Sequence, residues 1–133
     1  MIKFTIPGDP RGKQRPRFNR RTGTTYTPTE TVAYEKEVRA LFYKAGGRKG
    51  DGPVALGITA FYKIPTSATR AERERMSAGE PPQKKPDLDN VVKIIMDGLN
   101  GAAYDDDKQV TSIHAEKEYS EAPRVEVDIL WTS

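Results

Sequence analysis

An α+β fold, with a mixed β-sheet and helices packed on one of its faces in two layers, follows from three observations. Stretches at both ends and in the middle of the chain alternate apolar and polar residues with the period of a strand. One segment, Leu88 to Asn100, carries an apolar stripe with the period of a helix. Strand-like and helix-like stretches are interleaved rather than segregated, in the order strand, helix, strand, helix, strand, strand. At 133 residues the chain is expected to form a single domain over 1–133 with a core large enough to need no staples.

Ile2 to Ile6 alternates and predicts a short first strand. Pro7 to Thr25 holds Gly8, Pro10, Gly12, Pro16 and Gly23 among basic residues, which predicts a loop or hairpin. Pro28 to Ala45 predicts a helix, with Thr27 or Thr29 as its cap. Glu30 sits in its first turn, Val32, Tyr34, Val38, Leu41 and Phe42 form its apolar face, and Gly46-Gly47 ends it. Val54 to Ile64 predicts a strand. Pro65 to Pro86 is a polar insertion whose middle, Ala68 to Ala78, suits an extra solvent-facing helix. In the Leu88 helix, Leu88, Val91, Val92, Ile95, Met96 and Leu99 are expected to face the core. Val110 to Tyr119 and Arg124 to Trp131 are expected to form a closing hairpin around Ser120-Glu121-Ala122-Pro123.

Composition excludes several chemistries. The chain has no cysteine and one histidine, so it can form neither disulfide nor thiolate cage, has no thiol nucleophile, and cannot build a multi-histidine zinc site alone. There is no GxxxxGK[ST] phosphate loop. His114 lies mid-strand in Ser112-Ile113-His114-Ala115 and reads as a structural residue, with no nucleophile elbow around any serine. No apolar run approaches the length of a membrane span, and the N-terminal residues lack a secretory pattern, so a soluble, cytoplasmic protein without membrane attachment is expected.

The net charge of +3 conceals a strong internal asymmetry. Residues 1–25 carry +6 and residues 63–86 carry +3, whereas 87–107 carries −5, from six aspartates against Lys93. The basic segments suit a polyanion, and the acids between them would repel it unless a divalent cation intervened. Simple pairing of the two on a solvated surface is the ordinary alternative.

The acids fall in Lys84-Lys85-Pro86-Asp87-Leu88-Asp89-Asn90-Val91-Val92-Lys93, then Asp97, then Asp105-Asp106-Asp107. Pro86 places Asp87 at or beside a helix N-cap and Asp89 in the first turn. Lys93 and Asp97 follow Asp89 at successive i, i+4 steps on the face away from the core. Capping and helix-dipole compensation alone would explain Asp87 and Asp89. Only a short connection, however, separates this helix from the aspartate run, and if the strand that follows lies beside the helix N-terminus, a third carboxylate can converge on the first two. Three carboxylates without histidine or cysteine form a hard, all-oxygen site suited to Mg²⁺, with Mn²⁺ as a substitute. Such an ion supports in-line displacement at phosphorus, with Lys93 neutralising phosphate charge or orienting the nucleophile.

Lys85-Pro-Asp-Leu-Asp-Asn-Val-Val-Lys93, Asp97-Gly-Leu99 and Asp106-Asp107-Lys-Gln-Val110 together resemble the core motif of the RusA-type Holliday junction resolvases. Pro7-Gly-Asp-Pro-Arg-Gly-Lys-Gln-Arg-Pro-Arg17 with Tyr26-Thr-Pro28 is similar to the phage-type branch. The resemblance covers nearly the whole chain. It implies a homodimeric, Mg²⁺-dependent endonuclease that cuts four-way DNA junctions by paired nicks in recombination and repair. It also implies that the metal-binding acids are Asp87, Asp89 and Asp107 and that Lys93 is the essential lysine. Because three aspartates stand in a row, Asp106 could share or replace the role of Asp107. A two-fold pair of chains has an independent reason: one carboxylate cluster per chain, yet two symmetric nicks per junction.

The expected function is therefore junction resolution, with Asp87, Asp89, Asp107 and Lys93 catalytic. Phosphate contacts are expected from Lys13, Arg15, Arg17, Arg20 and Arg21 in the first loop and from Lys84 and Lys85 before the helix. Two rivals are a non-catalytic binding protein for structured DNA or RNA, with the aspartates as caps, and a metal-dependent phosphodiesterase on small nucleotides.

Overall fold

The computed structural model describes residues 1–132. Strand β1 (Ile2–Pro7) is followed by a small hairpin of β2 (Arg17–Asn19) and β3 (Thr24–Tyr26) inside the basic loop. Then come helix α1 (Thr29–Lys44), strand β4 (Val54–Lys63), helices α2 (Arg70–Ser77) and α3 (Leu88–Leu99), and strands β5 (Val110–Ser120) and β6 (Arg124–Trp131). The four long strands form one mixed sheet in the order β1-β6-β4-β5, with β4 and β5 parallel and the other pairs antiparallel. This is the expected α+β architecture.

The core lies between the sheet and the pair α1, α3. Alternate residues of β4 (Val54, Leu56, Ile58, Ala60, Tyr62) and β6 (Val125, Val127, Ile129) are buried with Phe4 and Ile6 of β1. They meet Tyr34, Val38 and Phe42 of α1 and Val91, Ile94, Ile95 and Leu99 of α3 in a single apolar cluster. Helix α2 buries none of its residues. It is held by a capping box in which Thr69 accepts from the Glu72 amide while Glu72 accepts from the Thr69 amide.

Three sequence expectations are corrected. The last two strands do not form a hairpin: β6 crosses the end of β4 and inserts between β1 and β4. Three connecting residues suffice, because Ser120 to Arg124 spans at most about 14 Å of extended chain and two strand spacings are about 10 Å. Burial decides the placement. β6 presents Val125, Val127 and Ile129 to the core, whereas β5 carries His114, Glu116, Lys117 and Glu118 and buries no residue, as suits an edge strand. The core stripe of α3 is rotated, with Ile94 and Gly98 buried while Leu88, Val92 and Met96 are half-buried. Helix α1 begins after Pro28, and neither Thr27 nor Thr29 caps it; Thr31 is buried instead.

Gly98 sets the spacing of the two core helices. A Cβ there would stand 2.9 Å from Val38 Cβ and 3.1 Å from the Glu35 carbonyl oxygen, so α1 can approach only because the side chain is absent. That approach brings Glu35 of α1 to the exposed side of α3.

Candidate active site

The segment entering α3 is fixed from below. Tyr62, buried at the end of β4, donates its hydroxyl hydrogen bond to the Pro86 carbonyl. Burial, with a smaller contribution from the negative charge of Asp87, pushes the Tyr62 phenol up to about 12. Asp87 occupies the N-cap position of α3 with extended backbone, as its sequence context predicts, but its carboxylate makes no capping hydrogen bond. Among the described residues Asp89 accepts only from the amide of its neighbour Asn90, at 3.0 Å. Neither acid belongs to an ion pair among the described residues. The capping explanation therefore does not account for the Asp87 side chain.

The three consecutive aspartates have three different environments. Asp105 pairs with Lys49 at 3.0 Å. Asp106 accepts from the Lys108 amide and caps a single 3-10 turn, Asp107–Gln109. Gln109 ties this turn to the loop before β4 by donating to the carbonyls of Gly50 and Gly52. Asp107, half-buried, has no cationic partner within ion-pair distance among the described residues. It shares a hydrogen bond with Asp106 that pulls the Asp106 carboxyl below and pushes the Asp107 carboxyl above the ordinary range, because two carboxylates in contact hold one proton more readily. Lys93 and Asp97 are close enough to act on Asp107 electrostatically.

The motif residues thus divide into two groups along one exposed side of α3. Asp87 and Asp89 stand at its start, and Asp107 lies lower, beside Lys93 and Asp97. Lys93 is one helical turn, about 6 Å along the axis, below Asp89. Among the described residues no three acidic or histidine side chains stand together as a group able to hold a metal ion, so the structure does not gather Asp87, Asp89 and Asp107 into one cage. The donor chemistry nevertheless fits a small hard cation. All three are carboxylates in no ion pair among the described residues, and magnesium is commonly held by one or two carboxylates, with water and phosphate oxygens completing its shell.

Lys13, expected from the sequence to contact phosphate, is otherwise engaged. Its ammonium lies 2.6 Å from Glu35 and 3.0 Å from Asp97, and its amide donates to the Asn90 carbonyl at 2.8 Å. Burial opposes its charge, but the two carboxylates outweigh that and raise its pKa. Gly12 is pressed against Pro86 and Asn90, where a Cβ would be 3.0 Å from the Cβ of each. The root of the basic loop is therefore stitched to α3. Beyond it, Arg15, Arg17, Arg20 and Arg21 are exposed on the β2–β3 arm and in no ion pair among the described residues. Lys84 reaches the Lys63 carbonyl and the Tyr119 ring, and Lys85 is exposed. A cavity of about 410 Å³ opens between this root and the helix starts, lined by Arg11, Gln14, Glu30, Lys85, Asp87 and Asn90 among others. Phe18 and Tyr26, 62% and 47% exposed on the arm, were not among the contacts expected from the sequence, although aromatic residues interleaved with arginines were visible there.

Residues 7–130 match the family model for the endodeoxyribonuclease RusA. The chain belongs to the RusA family. Membership makes it an endodeoxyribonuclease, and the acids of the α3 start, Lys93 and the aspartate run all fall inside the matched range. It is also 35% identical over 136 residues to the Bacillus subtilis (strain 168) protein named "Uncharacterized protein YqaN", an alignment covering 96% of this chain and 94% of that protein. Among the described residues of this RusA-family chain, no helix is long and apolar enough to cross a membrane.

Proposed function

We propose that this protein is a Mg²⁺-dependent endonuclease that resolves four-way DNA junctions by paired hydrolytic nicks, acting as a homodimer in recombination and repair. The observation that carries this reading is the state of the motif acids. Among the described residues, Asp87, Asp89 and Asp107 are in no ion pair and stand near a lysine, at the foot of an arm whose four arginines are also unpaired. Exposed acids and arginines without partners are solvated and add little to stability, and both gain a partner when an ion and a phosphate backbone are shared between them.

In this mechanism Arg15, Arg17, Arg20 and Arg21, with Lys84 and Lys85, hold the DNA backbone against the start of α3. Asp87 and Asp89 would hold the ion there, and Asp107, which stands apart from them in the aspartate turn, would act as a further ligand only once ion and DNA draw the two groups together. The ion, when bound, supplies an activated water and charge stabilisation at phosphorus. Lys93 lies between the acidic groups and places its ammonium against the phosphate charge that grows in the transition state. Two chains related by a two-fold axis supply the two nicks.

Incubation with a synthetic four-way junction and a matched linear duplex, with and without Mg²⁺, tests the reading. Symmetric nicks confined to the junction and to the metal-containing reaction are expected, and Asp89→Asn should abolish them while retaining junction binding. One observation favours the non-catalytic binding protein, namely that no three acids stand together among the described residues. That alternative requires junction binding with no nick in any metal.

A further inference from the structure

Asp97 joins two lysines that the fold brings from opposite ends of the site. One of its carboxylate oxygens lies 3.0 Å from Lys13 at the root of the basic arm, and the other 3.3 Å from Lys93. Lys13 in turn lies 2.6 Å from Glu35 of α1. The result is a line of alternating charge, Glu35–Lys13–Asp97–Lys93, that ends beside Asp107.

An Asp97–Lys93 pair at i, i+4 would by itself be ordinary helix-surface chemistry. Three features set this one apart. Asp97 is only 22% exposed and Lys13 21%, so the shared carboxylate is shielded as surface pairs are not. The two lysines take different oxygens, so a movement of either displaces the carboxylate that holds the other. Finally, Lys13 is fixed to α3 a second time through its amide and Asn90, so its head group follows the base of the arm.

We propose that Asp97 is a positioning residue that ties Lys93 to the root of the DNA-binding arm through Lys13, so that engagement of the arm and placement of the active-site lysine are coupled. The inference rests on the reading of Lys93 as an active-site group. It assigns Lys13 to the coupling rather than to direct phosphate contact.

Two variants, Asp97→Asn and Lys13→Met, and their combination test it with two readouts. The first is NMR of protein whose lysines carry ¹³C-dimethyl labels, with the Lys93 signal assigned by its loss in Lys93→Arg. That signal should move in both variants, including Lys13→Met, which removes no atom in contact with Lys93. The second is single-turnover nicking of a saturated four-way junction with Mg²⁺. Each variant should be slowed about tenfold, and the double variant no more than the slower single, since both break one line. A Lys93 signal unmoved by Lys13→Met, or rate losses that multiply, overturns the coupling. If the unmodified protein does not nick, the endonuclease mechanism fails, whereas the NMR comparison still decides whether Asp97 links the two lysines. Should Asp97→Asn not fold, Asp97→Glu, which lengthens the link while keeping its charge, is read in the same two ways.

Discussion

Gly98→Ala sets two physical effects of opposite sign against each other. Helix propensity alone favours alanine over glycine by about 1 kcal/mol in a helix interior. The packing at α1 opposes it. The new Cβ would stand 2.9 Å from Val38 Cβ, 3.0 Å from Val38 Cγ1 and 3.1 Å from the Glu35 carbonyl oxygen. A branch-point carbon and a backbone oxygen cannot rotate away, so α1 itself must shift. Overpacking of this kind costs about 1–3 kcal/mol, and a clash with rigid atoms belongs in the upper half of that range. The expected net loss is about 1–2 kcal/mol, or roughly 3–8 °C in melting temperature for a chain of this size. Urea denaturation with a two-state fit measures it. The helix shift should also lengthen the separation of Glu35 from Lys13 and reduce nicking beyond what the unfolded fraction explains. A variant as stable as the parent, or more so, would refute the claim that this glycine sets the α1–α3 distance.

The two neighbouring aspartates should separate by function. Asp107→Asn is expected to abolish nicking, whereas Asp106→Asn, which preserves an acceptor for the Lys108 amide, should retain most of it; single-turnover assays on a four-way junction give both rates. Replacing Arg15 and Arg17 by alanine should lower the slope of log affinity against log salt by roughly 0.9 for each phosphate no longer neutralised, measured by fluorescence anisotropy from low to moderate salt. Stability should fall in alkali. Burial raises the phenols of Tyr34, Tyr62 and Tyr104, and the Glu35 and Asp97 carboxylates overcome burial to raise Lys13. Each contribution is intact below the ordinary values of 10.0 and 10.5 and is lost as pH rises through the higher folded-state values, so urea midpoints should drop between pH 9.5 and about 12. Phenolate absorbance should place Tyr62 half-ionised at about 12.

Much of the fold was legible in the sequence because it is written in local periodicity. The alternation of β1, β4 and β6 and the helical period of α3 each depend on neighbours within one element, and each was recovered, although the buried face of α3 is rotated toward Ile94 and Gly98. Strand order was not legible. Nothing between Ser120 and Arg124 announces that β6 will step over β4, because that choice depends on the competing burial of β5 and β6 against the whole sheet. The site divides in the same way. Proline before Asp87 located the start of α3, and the run of aspartates was plain. Which of the three would be left free depended on partners distant in sequence, Lys49 for Asp105 and the turn held by Gln109 for Asp106. The engagement of Lys13 was hidden for the same reason. Its carboxylate partners come from two different helices that meet only because Gly98 lets them.

The interior position of β6 constrains the order in which the molecule can be assembled. Everything up to Pro123 leaves the ribosome with β1 and β4 unable to pair with each other, since the slot between them belongs to Arg124–Trp131. Nascent chains shorter than this therefore expose the apolar sides of β1 and β4 together with the facing sides of α1 and α3, and sheet closure becomes a late, nearly all-or-none event. A translation arrest or a nonsense change early in the stretch that encodes Arg124–Trp131 would be expected to yield a chaperone-bound, protease-sensitive polypeptide rather than a slightly weakened nuclease.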